Sequence, residues 1–339
     1  MQKFDIIIIG GGNAGFGVSA VANEAGKSVA FIEERDFGGT CPNRGCTPKK
    51  VLVAAAHAMH EIENASAHAI EVGKPKLNWE KLITRKDDMI DFIPGAMQGL
   101  AEKRGTVFQG RAEFAGPNTV SVNGTEIEGE NIVIATGSKP RDLPIPGAEL
   151  MITSDEVLSD KNLPGEVVFI GGGVIAMEFS HVYARAGAKV TILEAMPQLL
   201  PRMDHDAVDV LKKATEALGV SIQENVQVKE IAELDGRLSV SYLHDGEQKT
   251  VSADRVVNGA GRVANVDGLN LEAANIEHDG IRIAVHDHLQ SVSNPAIWVA
   301  GDALVNSAQL SPLATAEGKL VARNIISGGE EKPDYTANA

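Results

Sequence analysis

The sequence predicts an α/β fold built from two doubly wound parallel sheets. One observation is a unit of strand, glycine-rich turn, helix and second strand that occurs twice, over residues 5–33 and again over residues 166–194. The other is that the strands of both copies are almost continuously apolar. Such runs are typical of strands that are buried on both faces of a parallel sheet.

Composition indicates a globular chain of two or three domains. The 339 residues are 43% hydrophobic and include 35 glycines, which points to many tight turns. The formal net charge of −15 argues against nucleic acid or an anionic membrane as a partner. No apolar run is long enough to span a bilayer, and the first residues run into a strand without the pattern of a signal peptide. We therefore expect a cytoplasmic protein.

The first copy begins with the apolar strand at residues 5–10. The strand opens into the turn Gly10–Gly15, a helix is predicted over Phe16–Ala25, and a second strand over Ser28–Glu33. Glycines in this G-x-G-x-x-G pattern allow the backbone to approach a pyrophosphate, and an acid at the end of the second strand can accept a ribose hydroxyl. The surroundings of the turn make the pattern specific for a dinucleotide.

The second copy repeats this order. A strand over Glu166–Ile170 leads into the turn Gly171–Ala176, a helix that ends at Ala186, a strand over Lys189–Leu193, and Glu194. Two copies of one fingerprint imply two Rossmann-like units and two dinucleotides. A glycine-rich turn without a ligand stays the alternative for each copy.

The remaining elements are read from periodicity and turn signals. Prolines 140, 144 and 146 indicate a stiff connector between domains. The other predicted elements are helices over Val51–Val72, Trp79–Arg104 and Pro312–Ile326, turns at residues 116–118 and 123–124, strands at Ile132–Ala135 and Ile297–Ala300, and a hairpin of Leu238–Leu243 with Lys249–Ser252.

Both cysteines lie in one stretch, residues 38–50. Cys41 and Cys46 are separated by four residues, which is wider than a thioredoxin-type C-x-x-C, and a single pair cannot complete a four-cysteine zinc site. Pro48 suits the first turn of a helix, so Cys46 is predicted just before a helix N-terminus. There the helix dipole, with Lys49 and Lys50, would stabilise a thiolate. A structural disulfide, or two small buried residues, stays open at this point.

Taken together, these motifs resemble the flavin-dependent pyridine nucleotide–disulfide oxidoreductases, which include glutathione reductase, dihydrolipoamide dehydrogenase and mercuric reductase. Besides the two fingerprints, the resemblance rests on the cysteine box, Ala135-Thr136-Gly137, Gly259-Ala260-Gly261-Arg262 and Trp298-Val299-Ala300-Gly301-Asp302. It implies a fold of the glutathione reductase type, in which an NAD(P)-binding domain (147–264) is inserted into an FAD-binding domain (1–146 and 265–330). Residues 331–339 would lead into a dimerisation domain.

The resemblance also implies the cofactors, FAD and NAD(H), and the residues that contact them. NADP(H) is less expected, because its 2′-phosphate would meet Glu194 and Ala195-Met196-Pro197 offers no arginine, unless Arg202 folds back. The implied cofactor contacts are Gly10, Gly12, Asn13, Ala14, Gly15, Glu33, Gly39, Thr40, Lys50, Ala112, Ala135, Thr136, Gly137, Gly171, Gly173, Val174, Ile175, Glu178, Glu194, Gly261, Arg262, Gly301, Asp302, Leu310, Ser311 and Ala314.

The implied reaction passes a hydride from NADH to FAD and on to a Cys41–Cys46 disulfide, which then exchanges with a small disulfide or dithiol substrate. Cys46 would be the flavin-side thiolate and Cys41 the outer thiol. Lys50 would lie beside the flavin, with Glu178 as its ion-pair partner. No metal is expected, because His57 with His60 and His286 with His288 lack a third ligand.

The chain departs from the family at its C-terminus, where a dimerisation domain would supply a His-Pro…Glu acid–base pair. We expect either a cut version of a longer protein or a natural short form, monomeric or weakly associated. Ala20 stands where glutathione reductases carry a glutathione-binding arginine, although Pro48-Lys49-Lys50 favours that subgroup. The alternative function is a flavoprotein core that passes electrons from NADH to dyes, quinones or a partner without a disulfide substrate.

Overall fold

A computed structural model describes residues 1–304 and 308–336. Contacts between Cα atoms divide the chain into two compact units. The first contains residues 1–43, residues 91–139 and the chain from residue 263 onwards, and the second contains residues 44–90 and 140–262.

The helices in the described part of the chain are α1 (Asn13–Glu24), α2 (Thr40–Arg44), α3 (Cys46–Glu63), α4 (Trp79–Ile90), α5 (Ile93–Arg104), α6 (Ser154–Ser159), α7 (Val174–Ala186), α8 (His205–Ala217) and α9 (Ser311–Ser327).

The strands are β1 (Gln2–Ile9), β2 (Val29–Glu33), β3 (Thr106–Gln109), β4 (Ala112–Gly116), β5 (Thr119–Val122), β6 (Thr125–Ile134), β7 (Ser138–Pro140), β8 (Glu166–Ile170), β9 (Lys189–Leu193), β10 (Ser221–Gln223), β11 (Gln227–Leu234), β12 (Arg237–His244), β13 (Glu247–Ala253), β14 (Arg255–Asn258), β15 (Arg262–Ala264) and β16 (Ile297–Val299).

The sheet of the first unit runs in the order β3-β2-β1-β6-β5-β4, and β16 also pairs with β6. Besides its parallel pairing with β1, strand β6 has two further partners, because its amino-terminal residues pair antiparallel with β5 and its last residues pair parallel with β16. Strands β1, β2, β3 and β6 are parallel neighbours. The side chains of residues 6–9 in the central strand β1 are at most 4% exposed, which explains their uninterrupted apolar character.

Helices α1 and α9 cross at very short distance on this unit. A Cβ on Gly17 would lie 2.5 Å from the carbonyl oxygen of Thr315, and one on Gly318 would lie 2.1 Å from that of Ala14. Only glycine therefore fits at either position. The crossing brings the N-termini of the two helices side by side, where the Asn13 side-chain amide donates to the Ser311 hydroxyl.

The second unit contains a parallel sheet in the order β10-β9-β8-β14 and an antiparallel sheet in the order β11-β12-β13. Helices α3 and α4 bury Leu52, Trp79 and Ile83 in the same core as the strand residue Phe169. The Trp79 ring stacks on Tyr183 of α7 with centroids 5.2 Å apart. This packing is why residues 44–90 group with the second unit.

Both repeated units and the α/β class are confirmed. Two helix predictions were wrong in their bounds. The helix expected over Val51–Val72 begins at Cys46 and ends at Glu63. The helix expected over Trp79–Arg104 is interrupted after Ile90, and α5 restarts with Pro94 in its first turn, because a proline ring clashes with the carbonyl of the preceding turn. The predicted cofactor domains stay a prediction.

In the part of the chain that the structure describes, no helix combines the length and the apolar character needed to cross a membrane.

The packing of α7 on α8 predicts a dependence of stability on pH. The Thr215 hydroxyl donates to the carbonyl oxygen of Leu211, so the Nε2–H of His181 donates to Thr215 at 2.8 Å. Burial, reinforced by the nearby Arg185, lowers the pKa of His181 from its usual 6.5. An unfolded chain therefore binds a proton here more readily, and the folded state loses stability as pH falls below about 6.5.

We expect His181→Gln to reduce the fall in melting temperature between pH 7.5 and pH 5.5, measured by circular dichroism. His57→Gln is the matched control for loss of one histidine, because the His57 side chain is 70% exposed. An identical pH response in His181→Gln and the unmodified protein would contradict the assignment.

Candidate active site

The first glycine turn follows β1 and is too tight for side chains. Gly10 adopts a left-handed φ of +112°, and a Cβ on it would lie 2.3 Å from the carbonyl oxygen of Ala135 at the end of β6. A Cβ on Gly15 would lie 2.2 Å from the carbonyl oxygen of Gly10. The backbone is therefore fixed at the carboxyl edge of the sheet, where ligands bind in folds of this kind.

Glu33 braces this turn. One carboxylate oxygen accepts a hydrogen bond from the Gly11 amide at 2.7 Å, and the other accepts from the Arg35 amide at 2.8 Å. The side chain is 9% exposed. The sequence predicted only that Glu33 binds a ribose. It did not predict the second role of this side chain, which is to hold the turn in shape by accepting two backbone amides.

The second turn has the same construction. Gly171 has a φ of +99°, and a Cβ there would lie 2.4 Å from the carbonyl oxygen of Gly259. Glu194, 7% exposed, accepts from the Gly172 amide at 2.5 Å and from the Met196 amide at 2.7 Å. The repeat found in the sequence is therefore also a repeat of hydrogen bonds.

Both turns end at a helix start that can bind an anion. Gly12 and Gly173 are the N-caps of α1 and α7, and among the described residues neither start has a side-chain cap or an acid in its first turn. The first amides of a helix lack intrahelical acceptors and carry the positive end of the helix dipole. Each start is thus suited to a pyrophosphate.

A third strand end meets the first turn. Gly301 follows β16 with a φ of +71°, and a Cβ there would lie 3.0 Å from the Cβ of Ala14 and 3.3 Å from that of Ala314. The Ser138 hydroxyl donates to the Asp302 carboxylate at 3.1 Å. Of the residues predicted to bind a cofactor, Ala14, Gly301 and Ala314 are therefore in one cluster, and Asn13 is joined to Ser311.

The cysteine box begins against the first turn. Gly39, with a φ of +66°, approaches Gly12 so closely that a Cβ on Gly39 would lie 2.8 Å from the Gly12 Cα. Cys41 lies in α2, and Cys46 is the first residue of α3 rather than preceding it, with Gly45 as the N-cap. Both cysteines are partly exposed. The boundary between the two units falls between them.

Asn43 is a residue that sequence reasoning missed. Its side-chain amide donates to the carbonyl oxygen of Phe37 at 3.0 Å, while its Oδ1 is buried and has no hydrogen-bond partner among the described residues. The only signal in the sequence is its position between the two cysteines. Its bond to Phe37 fastens α2 to the loop that carries Gly38 and Gly39.

Lys49 of α3 forms an ion pair with Glu178 of α7, with Nζ and Oε1 separated by 2.6 Å. Both side chains are partly buried, at 23% and 36% exposure. Lys50, the next residue, is exposed. The prediction that Lys50 pairs with Glu178 was wrong, because the side of α3 that faces α7 carries Lys49.

Three further residues that were predicted to contact a cofactor differ in their surroundings. Val174 at the start of α7 is 51% exposed. Gly261 has a φ of +99° and its carbonyl accepts from the Arg141 amide at 2.9 Å. Ala112 is buried in β4 opposite Val122. Within residues 1–304 and 308–336, no group of three or more His, Cys, Asp or Glu side chains is arranged to hold a metal ion.

The family model described as pyridine nucleotide-disulphide oxidoreductase matches residues 4–318 of this chain. The chain belongs to this family.

Named relatives agree with this membership. The chain is 32% identical over 343 residues to a dihydrolipoyl dehydrogenase of Acholeplasma laidlawii, covering 98% of this chain and 99% of that protein. It is 35% identical over 331 residues to a glutathione reductase of Burkholderia cepacia, covering 97% of this chain and 73% of that protein. A solved Cu(II) complex of the HOCl-induced flavoprotein disulfide reductase RclA from Escherichia coli superimposes with a TM-score of 0.86 at 29% identity, over 100% of this chain and 74% of that one.

Members of this pyridine nucleotide–disulphide oxidoreductase family use FAD and NAD(P)H, and the first turn fits the flavin cofactor. Besides the α1 amides, the Thr136 hydroxyl at the end of β6 is buried and has no hydrogen-bond partner among the described residues. Leaving such a group unpaired costs about 1–3 kcal/mol. A polar ligand group at this strand end would remove that cost.

The ion pair gives a test of the prediction that a lysine of α3 acts on the flavin. We expect Lys49→Met to slow flavin reduction by NADH at least about tenfold, because the charge held by Glu178 is lost. Lys50→Met, which removes an exposed charge from the neighbouring position, is the matched control and should leave the rate within about twofold. Loss of flavin absorbance in a stopped-flow spectrometer measures both. A slow Lys50→Met variant beside a normal Lys49→Met variant would contradict the reassignment.

Proposed function

We propose that this chain carries hydride from NADH through FAD to a disulfide of Cys41 and Cys46, and from there to a small disulfide or dithiol substrate. The observation that carries the proposal is the pair of glycine turns, each held by a hydrogen bond from a glycine amide to a buried glutamate. The first of these turns contacts the cysteine box, where Gly39 lies against Gly12. FAD, when bound, accepts a hydride from reduced nicotinamide and passes two electrons to a disulfide. Cytoplasmic location stays a prediction.

Each turn would hold one dinucleotide. The α1 amides would bind the FAD pyrophosphate, Glu33 its ribose, and Thr136 and Asp302 polar groups nearby. The α7 amides would bind the pyrophosphate of the nicotinamide cofactor, with Glu194 on its ribose. Both glutamates are fixed by backbone amides, so they would act as preset acceptors rather than as mobile side chains.

The position of Glu194 favours NADH over NADPH. Its carboxylate is held at the end of β9, where a 2′-phosphate would meet it as a like charge. The residues that follow, Ala195, Met196 and Pro197, supply no cation to balance that phosphate, and Arg202 is exposed.

Glu194→Gln should therefore raise kcat/KM for NADPH relative to NADH by about tenfold, equivalent to about 1.4 kcal/mol of removed repulsion. Glutamine keeps an oxygen that can accept from the Gly172 amide, so the turn retains one of its two braces. Asp209→Asn, an equal change of charge at an exposed position of α8, is the control. A ratio that stays the same in Glu194→Gln would argue against the proposed preference.

The cysteines would act in sequence. Two electrons and a proton convert the Cys41–Cys46 bond to one thiol and one thiolate. A thiolate at Cys46 would be stabilised by the N-terminus of α3, whose first residue it is. Cys41 would then attack one sulfur of the substrate disulfide and form a mixed disulfide, while the substrate S–S bond breaks and the first substrate thiol leaves with the proton given up by Cys41. Attack of Cys46 on the Cys41 sulfur would release the second substrate thiol and restore the starting bond.

These roles predict a separation of two activities. Cys46→Ser should abolish reduction of disulfides, because the internal bond cannot form, while transfer of electrons from NADH to a dye continues. Cys41→Ser should show the same separation but keep the Cys46 thiol. Steady-state assays with a disulfide and with a dye measure both activities. Equal loss of disulfide reduction and of dye reduction in Cys46→Ser would contradict the assigned roles.

An anaerobic titration of the unmodified protein with NADH then tests the redox step directly. A broad long-wavelength absorbance band, retained in Cys41→Ser, would support a Cys46 thiolate against oxidised flavin. Bleaching of the flavin without that band would favour electron transfer that bypasses the cysteines.

The substrate class is a small disulfide or dithiol, since relatives of comparable identity are named dihydrolipoyl dehydrogenase and glutathione reductase. Ala20, half-buried on α1, offers no charge for the carboxylates of glutathione. We therefore propose an uncharged disulfide in preference to glutathione disulfide. Comparing kcat/KM for lipoamide and for glutathione disulfide at equal NADH tests this choice.

A further inference from the structure

Glu317 of α9 is a carboxylate that neither the sequence motifs nor the proposed reaction uses. It is 1% exposed. One oxygen accepts from the Gly301 amide at 2.8 Å and the other accepts from the Tyr335 hydroxyl at 2.9 Å. Burying a carboxylate is tolerated only when hydrogen bonds replace its hydration. The hydrogen bonds from Gly301 and Tyr335 are therefore required for Glu317 to be buried here.

The same arrangement, a buried glutamate that accepts a glycine amide, occurs at three strand ends. The buried acids among the described residues are Glu33, Glu194 and Glu317. Each accepts the backbone amide of a glycine that follows a parallel strand: Gly11 after β1, Gly172 after β8 and Gly301 after β16. Glu317 therefore has the position that fixes a ligand-binding turn in the other two cases.

The turn that Glu317 holds carries Asp302. Gly301 is left-handed and packed between Ala14 and Ala314, so its peptide has little freedom once its amide is bonded. Asp302 is the next residue, and its carboxylate accepts from Ser138. A shift of the Gly301 amide would move the Asp302 backbone with it.

The other oxygen of Glu317 holds the segment of residues 329–336, which turns back along α9. Arg323 donates two hydrogen bonds of 2.7 and 2.8 Å to the Glu331 carboxylate. The buried Asn324 side chain donates to the carbonyl oxygen of Glu331 and accepts from its amide. Tyr335, four residues further on, donates to Glu317 in the middle of the helix. Burial, with the adjacent Glu317 carboxylate, raises the pKa of Tyr335, so its hydroxyl stays a donor.

We propose that Glu317 and Tyr335 are positioning residues for the flavin site, through which the segment 329–336 fixes the Gly301–Asp302 turn against bound FAD. The inference rests on the proposed role of Asp302 at the flavin cofactor. Its consequence is that the affinity for FAD depends on a hydroxyl outside the fingerprint motifs.

The test is a double-mutant cycle on FAD affinity, measured by fluorescence titration of the protein stripped of flavin. Tyr335→Phe keeps the ring and removes only the donor, and we expect the Kd for FAD to rise by about threefold to tenfold, the upper value being the full weight of one hydrogen bond to a charged group. Glu317→Gln cannot accept from both donors and should weaken binding at least as much. In the Glu317→Gln background, Tyr335→Phe should add little, because the coupled partner is already lost.

Lys332→Ala is the matched control on the same segment. Its ion pair with Asp287 is exposed, and its loss should leave the Kd within about twofold. The melting temperature of the flavin-free protein, recorded for every variant, separates positioning from unfolding. Weaker FAD binding in Tyr335→Phe at an unchanged melting temperature supports the inference.

Two results overturn the inference. One is an unchanged Kd in Tyr335→Phe. The other is additive losses in the double variant, since additivity means that the hydroxyl acts independently of Glu317. Failure of the unmodified protein to bind FAD would instead overturn the proposed function, so the two failures are distinguishable.

Discussion

The hydrogen bond from a glycine amide to a buried glutamate is the interaction on which the rest of this structure depends. At Gly11 and Gly172 it pulls the backbone of the turn toward the end of the neighbouring strand. The amides of Gly11 and Gly172 precede Gly12 and Gly173, the N-caps of α1 and α7, so these hydrogen bonds do not use the first amides of either helix. A negative side chain and an anion-binding helix start can therefore lie within a few residues of each other without the acid occupying the anion site.

Helix packing extends this constraint to the C-terminal part of the first unit. Because Gly17 and Gly318 allow α1 and α9 to touch through their backbones, the two helix starts are held at one level. That contact places Ser311 beside Asn13 and Ala314 beside Gly301. Residues separated by most of the chain length thus meet at one strand edge. A side chain on either glycine would separate the two helices, although neither glycine is itself among the residues predicted to contact a cofactor.

The sequence was sufficient for elements whose signal is local. Both repeated units could be predicted because an apolar strand, a glycine turn and an acid recur in fixed order. The sequence could not show whether Lys49 or Lys50 pairs with Glu178. Consecutive residues of a helix point in directions about 100° apart, and the motif does not specify which of these directions faces α7. Which of the two faces α7 is decided by the burial of Leu52 and its neighbours in the second unit. The break after Ile90 was missed although Pro94 marks it, because apolar residues on both sides continue a helical period.

Glu317 shows why some functional candidates leave no readable trace in a single sequence. An acid in the middle of a helix is ordinarily a solvated residue, and nothing in the surrounding residues 311–327 marks this one as buried. Its burial follows from the glycine contact between α1 and α9, which places its turn of the helix against the end of β16. The carboxylate is then opposite an amide that would otherwise lie buried and unpaired, a loss of about 1–3 kcal/mol. Packing thus leaves a glycine amide buried at each of the three strand ends, and a glutamate carboxylate accepts its hydrogen bond.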